Sequence, residues 1–202
     1  MAANSKFDLC SQATALLGLG PVQSFSDGDK GAVAGRLYDT VVLSLIESYP
    51  WNFAKVYSAS LTRLATTPES QWTYLYALPT NLDGIVWALY DDDAIDAAPF
   101  KLWERVGANI ATNATEVWIR HAAIPEVAKM PKYFHQLAVY ALAAAFAQPM
   151  KESADMADFY HKRAFGTPEQ NGKGGLWAMA TAADARGSPS TIQRDNPFID
   201  CR

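Results

Sequence analysis

The residues whose types could do chemistry are three histidines, two cysteines and a cluster of aspartates. His121, His135 and His161 would suit a zinc ion at HxxxH or HExxH spacing, and they match neither. Cys10 and Cys201 lie outside any CxxC pair or Cys/His cluster, so no disulfide framework is predicted and a reducing compartment fits best. Asp91, Asp92, Asp93 and Asp96 offer oxygens to a calcium ion but lack the turn glycine and terminal glutamate of an EF-hand. No GxSxG elbow supplies a nucleophilic serine. Gly166, Gly172, Gly174 and Gly175 have neither GxGxxG nor GxxxxGK spacing. Asn113-Ala114-Thr115 is a glycosylation sequon without a secretory signal, and no carboxylate pair stands out for acid–base work. The expectation is a protein that is not an enzyme and holds no metal or cofactor.

Charge narrows the partners. Seventeen basic against 21 acidic residues give a net charge of −4, a poor basis for gripping phosphates. Half the residues are hydrophobic and 19% are charged, the balance of an ordinary globular chain. The N-terminus has no basic start followed by an apolar run, and the apolar stretch 137–147 is too short to cross a bilayer. A soluble protein without a membrane partner is expected.

The rings are more informative. Trp51, Trp72, Tyr74, Tyr76, Trp87, Trp103 and Trp118 crowd one region. One small sheet rarely buries so many rings alone, and such enrichment is typical of interface cores. Trp72, Tyr74, Trp87, Trp103 and Trp118 are therefore candidates for contact with a neighbouring subunit or another component. Packing of the sheet on a helical body is the plainer alternative. A single-stranded nucleic-acid binding module using an aromatic-rich sheet is a further one, weakened by the lack of interleaved lysine and arginine.

The elements that position these residues read as mainly α: a helical bundle with an inserted small antiparallel β region and an extended C-terminal arm. Asn4 or Ser5 caps a first helix over 6–17. The loop 21–30 is anchored by Phe25. The stretch 31–55 predicts the organising helix, with Val33, Leu37, Val41 and Leu45 in one apolar row and Tyr38, Val42, Ile46 and Tyr49 in the next. Pro50 stops it, and Trp51 and Phe53 follow as a plug fixing how the chain leaves the helix.

Beyond Phe53 the period changes from 3.6 to 2. Strands are predicted at 57–61, 72–78, 85–89, 101–106 and 116–121, with 112–115 turning between the last two. Residues 132–150 form an alanine-rich helix that is apolar nearly all round, which marks it as central. Ser153 caps a helix to about 164, a break falls in 166–175, and helix resumes over 176–186. The predicted organisation is a helical body (1–54 and 124–186), an inserted β region (55–123) and a C-terminal arm (187–202). The arm has two prolines and cannot bury enough to fold alone; Ile192, Phe198 and Ile199 look like anchors awaiting a surface.

The sequence resembles the head-to-tail adaptors of short-tailed phages, the tail tubular protein A or gatekeeper ring family. The likeness runs through CSQATALLGLGPVQSFSDG, GRLYDTVVLSLIESYPWNFAK, WTYLYALPTNL and YFHQLAVYALAAAFAQPM, most of 9–186 in order. PWNFA (Pro50, Trp51, Asn52, Phe53, Ala54) is its most specific element. The strands around 101–121 match loosely, and the arm does not match residue by residue. The resemblance implies a structural virion protein, made in the host cytoplasm. In that family a ring, usually of twelve copies, sits between the portal and the tail nozzle protein, and genomic DNA passes through its lumen without sequence-specific binding. In such a protein the arm's isolated apolar residues, Ile192, Phe198 and Ile199, are expected to meet the portal. The net negative charge suits such a conduit, and one of the acidic clusters, 91–96 or 152–158, is expected at the lumen or its rim.

Overall fold

The computed structural model describes residues 5–26, 28–57, 60–68, 71–80, 82, 86–91 and 99–187. The arm anchors Ile192, Phe198 and Ile199, Cys201 and most of the aspartate run lie outside them. Among them are five α-helices and six strands: α1 (Lys6–Leu16), α2 (Gly28–Glu47), β1 (Lys55–Tyr57), β2 (Tyr74–Ala77), β3 (Val86–Tyr90), β4 (Trp103–Val106), β5 (Asn109–Thr112), β6 (Trp118–Ala122), α3 (Lys132–Lys151), α4 (Ala154–Phe165) and α5 (Gly175–Ala185), all counted over the described residues. The fold is mainly α with a small antiparallel β region inserted between α2 and α3.

Local chemistry explains the helix ends. Ser5 caps α1 by accepting from the Asp8 backbone N–H at 3.2 Å. Gly18, at φ +66°, closes that helix, with Leu19 N–H donating to the Thr14 carbonyl. α2 starts three residues before the sequence reading and stops at Glu47, ahead of Pro50. The Leu45 carbonyl there accepts from the Ser48 hydroxyl at 2.7 Å and from the Trp51 indole N–H at 2.7 Å. Side chains thus satisfy the end of the helix before proline intervenes. Ser153 caps α4 through the Met156 N–H.

α3 is the central helix, packed against α1, α2, α4 and α5. Its alanines let neighbours approach closely. The buried line of α2 is Ala34, Tyr38, Val42, Leu45 and Ile46, while Val33, Leu37 and Val41 are half-buried flanks. The row beginning at Tyr38 is therefore the more deeply buried, with Leu45 the one fully buried member of the row beginning at Val33. Phe25 pins the loop onto α2: its ring meets Phe7 at 4.6 Å and lies above Gly35.

The β region differs from the sequence reading in three ways, the first being that its opening strand is Lys55–Tyr57 rather than 57–61. It forms two three-stranded antiparallel sheets, ordered β1-β6-β3 and β2-β5-β4. It also contains β5, which the sequence reading left between strands and partly in a turn. Val106 pairs with Asn109, so Gly107 and Ala108 make a two-residue hairpin turn with Gly107 at φ +59°. The turn ascribed to 112–115 instead follows β5. Short, alanine-containing NIAT carries too little β-propensity to declare itself, although Ile110, Ala111 and Thr112 are all buried.

The described residues bury two cores. One is helical and includes Leu9, Tyr38, Trp51, Phe134, Leu142 and Phe146. The other lies between the sheets and includes Tyr76, Leu89, Ile110, Val117 and Ile119. Ala122 and Trp87 reach from the first sheet to the helical core. A bulge between Val86 and Ala88 lets Trp87 depart from strand alternation to do so.

Candidate functional site

Two constructions stand out. The first is the turn after α2. Trp51 is fully buried, with its ring edge-on to Phe134 at 5.2 Å and to Tyr49 at 4.9 Å. Phe53 meets Phe134 at 4.8 Å. Pro50 stays exposed, so the plug itself is Trp51 with the half-buried Phe53. Between them Asn52 turns to α5. Its backbone N–H donates to the Asp184 carboxylate at 2.8 Å, and its side-chain amide donates to the Asp184 backbone carbonyl at 2.9 Å. The Tyr133 hydroxyl donates to the other Asp184 oxygen at 2.7 Å. Burial, then the bond to Asp184, push the Tyr133 hydroxyl well above the usual phenol range. Asp184 is 2% exposed, so this joint is internal rather than a binding cleft.

The second is the face of the first sheet turned away from the second core. Register places Lys55 opposite Ala122, Tyr57 opposite Arg120, Arg120 opposite Ala88, and Trp118 opposite Tyr90. Opposed residues share a face. Leu89 and Ile119 turn to the second core, so Tyr57, Ala88, Tyr90, Trp118 and Arg120 lie on the opposite face, the one from which Ala122 meets the helical core. The Arg120 guanidinium lies over the Tyr57 ring at 4.5 Å and the Tyr90 ring at 4.8 Å. The Lys55 amine lies over Trp87 at 5.4 Å and also donates to the Asn52 side chain. On the second sheet, Arg63 stacks on Tyr74 at 3.7 Å.

The five rings marked from sequence are all half-buried. Trp72 donates to Glu104 at 2.9 Å. Tyr74 and Trp103 pack on the second core, both opposite Thr112 across their sheet, while Trp87 packs on the helical core. Trp118 shares a face of the first sheet with Arg120. The cations that cover rings were missed from sequence, because Arg63, Arg120 and Lys55 are far from Tyr74, Tyr90 and Trp87 in the chain. The exposed large apolar side chains also include residues not singled out from sequence, among them Leu102 at 75%, Tyr57 and Met179 at 67% and Phe159 at 62%.

The histidines sit apart in kind. His121 is buried in β6, His135 approaches the Val127 carbonyl at 2.8 Å, and His161 is exposed on α4 beside Phe165. Among the described residues no group of three or more His, Cys, Asp or Glu could hold a metal ion. Burial pushes the Cys10 thiol from its ordinary 9.0 up to about 12, which keeps it protonated and inert. Among the described residues no helix is long and apolar enough to cross a membrane. No protein-family model matches this chain, and no curated protein matches it.

Proposed function

We propose that this chain is the head-to-tail adaptor of a short-tailed phage: a non-enzymatic virion protein that forms a ring between portal and tail nozzle and lets DNA through its lumen. The observation that carries this reading is where PWNFA lies. The most specific element of the sequence likeness is the joint that ties α2, α3 and α5 together through Trp51, Asn52 and Asp184. A likeness centred on a buried joint concerns the fold of the whole helical body, not one surface patch. The exposed Leu102, Tyr57, Met179 and Phe159, spread over both parts of the chain, suit a subunit covered on several sides. In this reading Ile192, Phe198 and Ile199 in the arm meet the portal, the rings of the β region face a neighbouring copy or the nozzle, and the particle resides in the virion tail.

Negative-stain microscopy tests it, on the purified full chain alone and mixed with a short-tailed phage portal protein. Rings seated on the portal are expected. Particles that stay single in the mixture would end the reading. A second reading, a single-stranded nucleic-acid binding module, gains from the stacking of Arg63, Lys55 and Arg120 on rings. Filter binding at low salt separates the two, since only that module must retain an oligonucleotide.

A further inference from the structure

Every exposed residue of α5 is Gly, Ala or Met: Gly175, Met179, Ala182 and Ala185. Its one charged residue, Asp184, is buried, and Met179 is 67% exposed. A helix on a protein surface ordinarily turns charged residues outward. α5 also stops short of the seam it fills. Its last turn meets Asn52 and Tyr133 through Asp184, and nearer its start the Trp177 indole N–H donates to the Ser48 hydroxyl at 3.1 Å. Beyond that level, towards Ser44 on α2 and Ala145 on α3, the seam between α2 and α4 stays open. It forms a groove of about 450 Å³, whose apolar lining is Val41, Ala141, Ala144, Ala145, Ala157 and Phe165.

We infer that the arm of the same chain, 188–202, folds back along α5, with Ile192 over Met179 and Ala182 and with Phe198 and Ile199 in the alanine groove. The inference goes beyond the adaptor reading and does not need it. Reach favours this occupant. The arm leaves α5 at Gly187, beside Asp184. At about 1.5 Å per residue, Met179 lies about 12 Å back along the helix, and the groove about 25 Å. An extended segment at about 3.1 Å per residue carries Ile192 up to about 16 Å from Gly187 and Phe198 up to about 34 Å. Pro189 and Pro197 favour such extension. Charge favours it as well. Between the anchors, Gln193-Arg194-Asp195-Asn196 passes the start of α5, where Gly174 gives no side-chain cap and Lys173 is exposed, so Asp195 meets positive charge. Tethering favours the chain's own arm over a second copy's, because a linked segment faces its groove at millimolar effective concentration. In the adaptor reading, a portal then has to draw these anchors out of the groove before it can hold them.

The test is photo-crosslinking in the full chain, with a benzophenone analogue of phenylalanine in place of Phe198, irradiated in dilute solution and mapped by mass spectrometry. Adducts of single-chain mass are expected on 141–145 and 157–165. Ser44→Trp, at an exposed position on the groove's rim, sets a competing ring in the groove and should cut their yield about threefold or more. Circular dichroism of that variant should match wild type. Should Ser44→Trp fail to fold, Ile199→Asp decides: a lower yield supports the seat, and an unchanged yield refutes it. Adducts spread over the surface, or placed elsewhere, would overturn the inference. Adducts on the groove but of two-chain mass would overturn it in favour of a neighbouring copy's arm. Addition of a short-tailed phage portal protein separates the two readings. The adaptor reading expects the adducts to move from the groove to the portal; adducts that stay on the groove count against that reading and leave this inference standing.

Discussion

Asn52 and Asp184, 132 positions apart, grip each other twice: the Asn52 backbone N–H donates to the Asp184 carboxylate, and the Asn52 side chain donates to the Asp184 backbone carbonyl. The pair joins the turn after α2 to the last turn of α5, and Tyr133 adds a bond from α3. One carboxylate therefore connects three elements of the helical body. Its two side-chain oxygens accept from two donors, which is what permits a charged group to stay almost wholly buried.

Removing that carboxylate leaves the Asn52 N–H and the Tyr133 hydroxyl without their acceptor. Asp184→Ala should cost about 2–4 kcal/mol of stability, at the scale of a broken buried network. Asp184→Asn keeps one acceptor oxygen and should cost less. Urea unfolding followed by far-UV circular dichroism checks both. Asp155→Ala, on the exposed start of α4, serves as control and should stay within about 0.5 kcal/mol of wild type. A loss at Asp184 no larger than at Asp155 would show that the joint contributes nothing.

Trp51 combines two contributions that substitution can separate. Trp51→Ala removes the ring that packs on Phe134 and should cost about 3–5 kcal/mol. Trp51→Phe keeps an aromatic ring but removes the indole N–H that satisfies the Leu45 carbonyl. It should cost about 1–3 kcal/mol. Thermal melts of the two variants rank them. Equal losses would mean that the hydrogen bond, not the packing, governs the end of α2.

The helical body was legible in the sequence because its signals are local and redundant. Ser5 and Ser153 cap helices where a serine precedes a periodic run, and the alanine-rich stretch is the central helix as its lack of a polar face implies. The β region was only partly legible. β5 was hidden because Ile110, Ala111 and Thr112 are buried in succession, which erases alternation, and the bulge at Trp87 breaks the period of β3. The latch partner Asp184 and the stack on Arg120 gave no sequence signal. Each depends on residues brought together by tertiary packing, and no spacing rule relates Asn52 to Asp184 or Tyr57 to Arg120.

Alkaline pH should loosen the α1–α2 contact. Burial raises the Cys10 thiol from 9.0 to about 12, and burial with the nearby Cys10 and Asp39 raises the Tyr38 hydroxyl above the phenol range. Both groups keep their protons in the folded state at pH values where the unfolded chain releases them. The folded state then holds more protons, so stability falls as pH rises. The contribution is whole below about pH 9, the unfolded thiol value, and is lost as pH climbs through about 12. Melting temperature measured from pH 8 upward should be flat at first and then decline. Cys10→Ala should flatten the early part of that decline. An unchanged decline in Cys10→Ala would assign it to Tyr38 and other tyrosines.

Gly31 sits where the loop before α2 folds back on the helix. A Cβ there would press on the Ser24 backbone carbonyl and lie 3.3 Å from the Phe25 carbonyl carbon, and backbone atoms yield less readily than a side-chain tip. Gly31→Ala should therefore push the loop outward, loosen the Phe25 contact with Phe7, and cost about 1–3 kcal/mol despite the better helix propensity of alanine. Gly20 offers the contrast: nothing lies within 4 Å of its added Cβ. Gly20→Ala should be neutral or stabilising by up to about 1 kcal/mol, through the smaller freedom of the unfolded chain. Chemical denaturation of the two single variants measures the difference. Hydrogen exchange across 21–30 then reads the loop directly, with faster exchange expected in Gly31→Ala alone. Equal stability of the two variants would mean that the loop shifts without cost and does not brace α2.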